Sequence, residues 1–232
     1  MIFNYLRKLR KKQRGLTFHR QLIKPGDLVF DIGAHEGERT SAFQYLGARV
    51  ITVEPQSEIF QILEERFADA KLITLINKAV ADVEGREEIW IGNNSQFSSL
   101  SEDFIQQIPN LDQLKWDKKE WIEVTTLDRL IQKFGVPEYI KIDVRGYEVK
   151  VLNGLSTAVI QISFKYTFPF KKEAILCISI IDKLGDYQFN FMPFEEMAYQ
   201  LPTQVSSSEI IKFIEQAPEG LLTGEVFAFL NS

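Results

Sequence analysis

The chain reads as an α/β protein built on a doubly wound, mostly parallel sheet. Three observations predict this. Short apolar runs bounded by turn residues alternate with helical patterns. The runs are apolar throughout rather than on every second residue, as in strands covered on both faces. Three of them end in an acidic residue, Asp31, Glu54 and Asp143. With 232 residues, the chain has enough length for one large domain or two small ones, and no repeat or linker divides it.

Taken in order, Pro25-Gly26 makes a turn and Leu28–Ile32 a buried strand. Glu38–Leu46 follows as a helix closed by Gly47, then Arg49–Val53 as a second strand ending at Glu54-Pro55. Ser57 is placed to cap a helix carrying Ile59, Ile62, Leu63 and Phe67 at helical spacing. Lys71–Ala81 is a third strand, and Glu87–Ile91 is expected to pair with residues around Val124 as a hairpin. Thr125-Thr126-Leu127-Asp128 opens a helix with a cap-like pattern. Tyr139–Val144 and Ile160–Phe168 are the next strands, followed by a helix over Lys171–Leu184 and strands at Tyr187–Phe191 and Glu225–Leu230. No long helical pattern separates the last two strands, which predicts that one of them runs antiparallel. Asn93–Glu123 interrupts the alternation and carries Trp116 and Trp121; it is either a lid over the site or a surface excursion. Residues 1–24 form a basic, amphipathic helical segment and 25–232 a single domain.

Charge is uneven. Net charge is −5, yet the first 14 residues hold six Lys/Arg and no acid, leaving 21 bases against 32 acids in the rest. Ile2, Phe3, Leu6 and Leu9 share one face of that basic segment, which either docks on its own domain or contacts a membrane surface or acidic partner. The acidic body argues against general nucleic-acid binding. No apolar run approaches the 18 residues of a membrane span, and the N-terminus lacks a secretory leader. One cysteine, Cys177, forms no disulfide framework and reads as a core residue, predicting a reducing cytoplasm. Two histidines and one cysteine cannot assemble a standard zinc site, so no metal is expected.

In an open α/β sheet the ligand lies beyond the carboxyl ends of the strands, where strand order reverses. The first such end reads V-F-D-I-G-A-H-E-G, a strand running into a glycine-spaced turn, and Glu54 follows 23 residues after Asp31, where a carboxylate accepts ribose hydroxyls. A dinucleotide turn needs a third glycine, and Asp31 and Glu36 would repel a pyrophosphate. The P-loop pattern is absent. An ammonium and a sulfonium would be favoured instead, which points to S-adenosyl-L-methionine and predicts that a cationic ligand answers Asp31.

The segments DIGAHEGERT (31–40), VEPQSEIFQIL (53–63), NKAVADVEG (77–85), SSL (98–100), VTTLDRL (124–130) and KIDVRGYEVKVLNG (141–154) together resemble the FkbM-type S-adenosylmethionine-dependent methyltransferases. The resemblance implies a Rossmann-like, seven-stranded class I methyltransferase sheet with an antiparallel final strand. It implies O-methyl transfer to a small-molecule hydroxyl, on a sugar, polyketide or related metabolite. Asp31, Gly33, Ala34, His35 and Gly37 would surround the methionine half, Glu54 the ribose, Asp82 the adenine, and Asp143 the transferring methyl. Asp143 and His35 are the candidate bases. Ser98 and Ser99 fall in the acceptor region. At two positions where the family usually carries acids, this chain has Arg145 and Lys165. Both are read as acceptor-binding, for an acidic acceptor whose carboxylate nucleophile would need no base. Two other readings stand beside this one: a cofactor-binding protein that has lost catalysis, and an NAD-dependent oxidoreductase.

Overall fold

The computed structural model describes residues 13–108, 113–167, 169–194, 196–218 and 223–231. The apolar face expected within residues 1–12 lies outside them. Helical residues 13–19 (α1) lead into β1 (Leu28–Ile32), α2 (Glu38–Tyr45), β2 (Arg49–Val53), α3 (Ser57–Arg66), β3 (Ile73–Ile76), β4 (Ala79–Val80) and β5 (Gly85–Ile91). A 3₁₀ turn (Ser95–Phe97) and α4 (Glu102–Gln107) precede β6 (Lys118–Thr125), α5 (Leu127–Phe134), β7 (Tyr139–Ile142), α6 (Glu148–Asn153) and β8 (Gln161–Tyr166). The chain closes with α7 (Lys171–Leu184), β9 (Tyr187–Pro193), α8 (Ser207–Gln216) and β10 (Gly224–Leu230).

Seven strands form one sheet in the order β3-β2-β1-β7-β8-β10-β9, parallel except for β10, which runs antiparallel to both neighbours. This is the expected fold, including the reversed final strand. The expectation that no long helical pattern separates the last two strands is corrected by α8, which is as long as α3. There Ser206 and Glu209 form a reciprocal capping box, and Ile210 and Ile214 are buried on one side. The expected third strand is also corrected, because it splits. The Asn77 amide donates to the carbonyls of Glu54 and Pro55 at 2.9 and 3.1 Å, ending β3. The chain then leaves the main sheet, and β4 joins a second, three-stranded sheet ordered β4-β6-β5. Within that sheet β5 and β6 make the expected antiparallel pairing, Gly85 opposite Val124. The N-cap of α3 is Gln56 rather than Ser57, whereas Thr126 caps α5 by accepting from the Arg129 amide.

The two faces of the main sheet differ in chemistry. One carries Phe30, Ile32, Ile51, Ile140, Ile142, Ile162 and Phe164 into the larger core, closed by Val151 and Leu152 of α6 and Cys177, Ile178 and Ile181 of α7. Cys177 is thus the core residue the sequence suggests. The other packs Val29, Val50 and Tyr139 against Phe18, Leu22, Ile23 and Phe43. Across this second face, register aligns Thr52, Asp31, Lys141 and Ser163 in one row over β2, β1, β7 and β8. All four are buried, so a polar line crosses the middle of an otherwise apolar layer. Strand order reverses between β1 and β7, and the row ends beneath the loops that leave them. None of the described helices is long and apolar enough to cross a membrane.

Candidate functional site

The turn after β1 is shaped by two glycines in left-handed backbone, Gly33 at φ 74° and Gly37 at φ 76°, with His35 between them at φ 49°. A methyl group on Gly33 would stand 2.1 Å from the Asp143 carbonyl, so the loops after β1 and β7 touch there. One on Gly37 would meet Phe67 at 2.6 Å. The amides of Gly33 and Ala34 donate to the Val53 carbonyl at 2.9 and 3.1 Å, folding the turn over the end of β2. There the Glu54 carboxylate accepts from the His35 amide at 2.9 Å and from the Gln56 amide and side chain at 3.0 and 3.1 Å. Burial nonetheless pushes the Glu54 carboxyl up to about 7.

Asp31 is fully buried, and its partners are internal. Thr40 donates its hydroxyl at 2.7 Å, and the Lys141 ammonium stands 4.0 Å from the other carboxylate oxygen. The expectation that a cationic ligand answers Asp31 is therefore corrected: the register of β1 and β7 supplies the cation. Burial raises the Asp31 carboxyl, with Lys141 and Thr40 opposing.

Lys141 also lies 3.6 Å from Asp143, which Arg145 approaches at 3.6 Å and Lys165 at 3.8 Å. Burial acts to raise the Asp143 carboxyl, but Arg145, Lys141 and Lys165 outweigh it and hold it well below the usual carboxylate range. So strong an acid is a poor proton acceptor at neutral pH, which weighs against Asp143 as a general base. Burial lowers the His35 imidazole, keeping it neutral. The Lys165 ammonium is lowered by burial, with Asp143 opposing. One oxygen each of Asp31 and Asp143 accepts no hydrogen bond among the described residues. Glu148, buried at the start of α6, accepts from the amides of Val144 and Gly146 at 3.2 and 2.9 Å and fixes the loop that carries Arg145. Burial pushes its carboxyl up to about 7 as well.

The segment from Asn93 to Ile108 lies against both loops. His35 Nε2 and Ser95 Oγ are 2.9 Å apart, and the Ser99 hydroxyl donates to the Arg145 carbonyl at 2.6 Å. Phe97 lies under the Arg145 guanidinium, and Phe104 packs on Gly146. The Ser98 hydroxyl accepts from the Gly92 amide. Both serines are buried with their hydroxyls engaged by backbone, so they position the segment rather than face a ligand. Asp82 stands apart from this cluster: it pairs with Lys150 at 2.9 Å and lines a shallow depression with Thr126, Asp128 and Arg129.

The cluster thus brings together Asp31, Gly33, Ala34, His35, Gly37, Glu54, Asp143, Arg145 and Lys165. Sequence reasoning missed Lys141, Thr40, Ser95 and Glu148. Period-two spacing did put Lys141 on the face of Tyr139 and Asp143, but only the register with β1 sets it beside Asp31. Among the described residues no three His, Cys, Asp or Glu side chains group closely enough to hold a metal.

A sequence model of the methyltransferase FkbM domain matches residues 31–215, and the chain belongs to that family of S-adenosylmethionine-dependent methyltransferases. No curated protein matches the chain. Similar solved structures include a precorrin-6y C5,15-methyltransferase from Geobacter metallireducens GS-15, with TM-score 0.48 and 10% identity over 95% of this chain and 87% of that one. An rRNA methylase from Streptococcus thermophilus gives TM-score 0.49 at 10% identity over 94% of each chain. Aeropyrum pernix fibrillarin, crystallised with natively bound S-adenosyl-L-methionine, gives 0.48 at 10% identity over 89% of this chain and 68% of that one. Likenesses this distant bear on no argument about activity.

Two outcomes are expected. Lys141→Met strips the cation from buried Asp31 and one of three from Asp143 and should cost about 3–5 kcal/mol in urea unfolding, whereas Asp31→Asn added to it should recover part of the loss. Unchanged stability would show that Lys141 is not their counter-ion. Glu54 and Glu148, raised in the fold, favour their protonated forms. Their contribution is therefore complete below about pH 4.5 and lost as pH climbs through about 7. A thermal-melt series should show Glu148→Gln flattening the decline between pH 5 and 7.5; an unaltered slope would contradict the raised value.

Proposed function

We propose that this FkbM-family chain transfers the methyl group of S-adenosyl-L-methionine to an oxygen, hydroxyl or carboxylate, of a small-molecule acceptor. The observation that carries the reading is the meeting of a left-handed glycine turn, Glu54 and Asp143 at the strand-order reversal, where Gly33 lies directly on the Asp143 carbonyl.

The residues present fit that cofactor. The amino end of α2 suits its carboxylate, and Asp143, held ionised at the end of β7, supplies a negative charge for its cationic centre. Glu54, at the end of β2, suits the ribose hydroxyls. Gly33, Ala34, His35 and Gly37 supply the backbone wall of the methionine half. Asp31 supports the site from beneath without touching it, and Asp82, paired with Lys150, is not carried into the adenine site. The case against a dinucleotide moves accordingly: Asp31 is answered by Lys141, so the repulsion rests on the exposed Glu36 and Glu38 at the amino end of α2.

When bound, the cofactor supplies a sulfonium-activated methyl group for in-line displacement by the acceptor oxygen. The protein's part is alignment, worth about 7–11 kcal/mol in favourable cases. A hydroxyl acceptor must also release a proton, and His35, neutral and tied to Ser95, is the base in this reading. A carboxylate acceptor has no proton to lose.

S-adenosyl-L-methionine at 100 times its Kd should stabilise the chain by about 2.7 kcal/mol, and NAD should not. Stabilisation by NAD alone would overturn the reading, and cofactor binding without turnover over an acceptor panel would favour the impaired alternative. Given an active hydroxyl acceptor, His35→Gln should lower kcat by about 10²-fold or more; an unchanged kcat would remove His35 from proton transfer.

A further inference from the structure

Three cations crowd Asp143, and one carboxylate does not saturate them. A guanidinium carries five N–H donors and an ammonium three. Arg145 and Lys165 stop 3.6 and 3.8 Å from Asp143, outside hydrogen-bond range. Among the described residues, no side-chain N–H of Lys141, Arg145 or Lys165 donates a hydrogen bond. Donors so enclosed, with side chains only 24% exposed in Arg145 and 14% in Lys165, call for acceptor oxygens.

The arrangement is also held in place. Arg145 occupies left-handed backbone at φ 55°, a conformation costly for a branched-off side chain unless its surroundings impose it. Ser99 grips its carbonyl, and Gly146 beside it leaves no room for a side chain against Phe104. Aromatic rings back both cations, Phe97 at 5.7 Å from the Arg145 guanidinium and Phe194 at 4.7 Å from the Lys165 ammonium. Each ring presents its face to the cation, and Phe194 is itself exposed to solvent. Lys165 also borders a narrow pocket of about 20 Å³, lined by Phe104, Phe164, Tyr166 and Phe170 together with Glu148 and Glu173.

We propose that Arg145 and Lys165 receive an anionic oxygen group, carboxylate or phosphate, of the methyl acceptor, which is therefore a small acidic molecule. This rests on the methyltransferase reading and adds the acceptor's charge to it. The other occupant with the same chemistry is the carboxylate of the cofactor itself.

Titration calorimetry separates the two. The probes are S-adenosylhomocysteine, 5′-methylthioadenosine, which lacks the amino-acid half, and inorganic phosphate. Wild-type chain loaded with S-adenosylhomocysteine is expected to take up phosphate saturably. Arg145→Gln with Lys165→Gln should weaken that uptake at least tenfold while leaving S-adenosylhomocysteine affinity within twofold, which also reports an intact fold. Arg145→Lys with Lys165→Arg, keeping both charges, should retain most of it. No saturable phosphate uptake, or uptake indifferent to the glutamine pair, overturns the proposal. So does a tenfold loss of S-adenosylhomocysteine affinity with 5′-methylthioadenosine unaffected, because the cations would then hold the cofactor's carboxylate. Failure of wild-type chain to bind S-adenosylhomocysteine would defeat the methyltransferase reading instead, and the phosphate titration on unloaded chain would still decide the cation pair.

Discussion

Lys141 reaches two carboxylates from the middle of a parallel sheet, and the geometry of the site depends on that contact. A lone charge of either sign at this depth would be neutralised by a shifted proton equilibrium rather than tolerated. Register puts Asp31 and Lys141 side by side on β1 and β7, and the pleat returns Asp143 to the same face two residues later. The pairs are long, 4.0 and 3.6 Å, and complete neither carboxylate. A buried pair of this kind is weak evidence for stability, since apolar residues of equal volume often serve better. Here the arrangement sits where strand order reverses, which accounts for charge in an otherwise apolar layer.

The two loops that diverge from this pair are tied together above it. Gly33 rests on the Asp143 carbonyl, and Glu148 fixes the Asp143–Gly146 stretch through its amides. The segment beginning at Asn93 then bonds to one loop through Ser95 and to the other through Ser99. Residues 93–108 thus touch the loops after both β1 and β7.

Most of the sheet was legible because each central strand is apolar on both faces and bounded by Gly, Pro or an acid. The helices at Glu38, Ser57 and Lys171 were legible from local sequence, the first by its closing Gly47 and the second by the spacing of Ile59, Ile62, Leu63 and Phe67. What escaped had a physical reason in each case. The third strand looked continuous because Lys71–Ala81 is apolar on both sides of Asn77, and only the bonds from Asn77 to the end of β2 reveal the break. Helix α8 escaped although Ser206 and Glu209 spell a capping box and Ile210 and Ile214 stand four residues apart, one helical turn. In the site, glycines and strand-end acids announce themselves locally. Their partners do not: Thr40 and Lys141 meet Asp31 across 9 and 110 residues of chain. The same gap explains Ser98 and Ser99, whose hydroxyls looked available until their backbone partners were known. Arg145 and Lys165 were legible as departures from the family pattern, but their convergence on one carboxylate was not.

The central claim is that internal cations, Lys141 at Asp31 and Arg145, Lys141 and Lys165 at Asp143, govern the carboxylates at the strand ends. It is tested most directly by following the Asp143 side-chain carboxyl carbon by NMR while the pH is lowered. The account predicts that Asp143 stays ionised to the lowest pH at which the chain remains folded. An ordinary midpoint near pH 4 would contradict it.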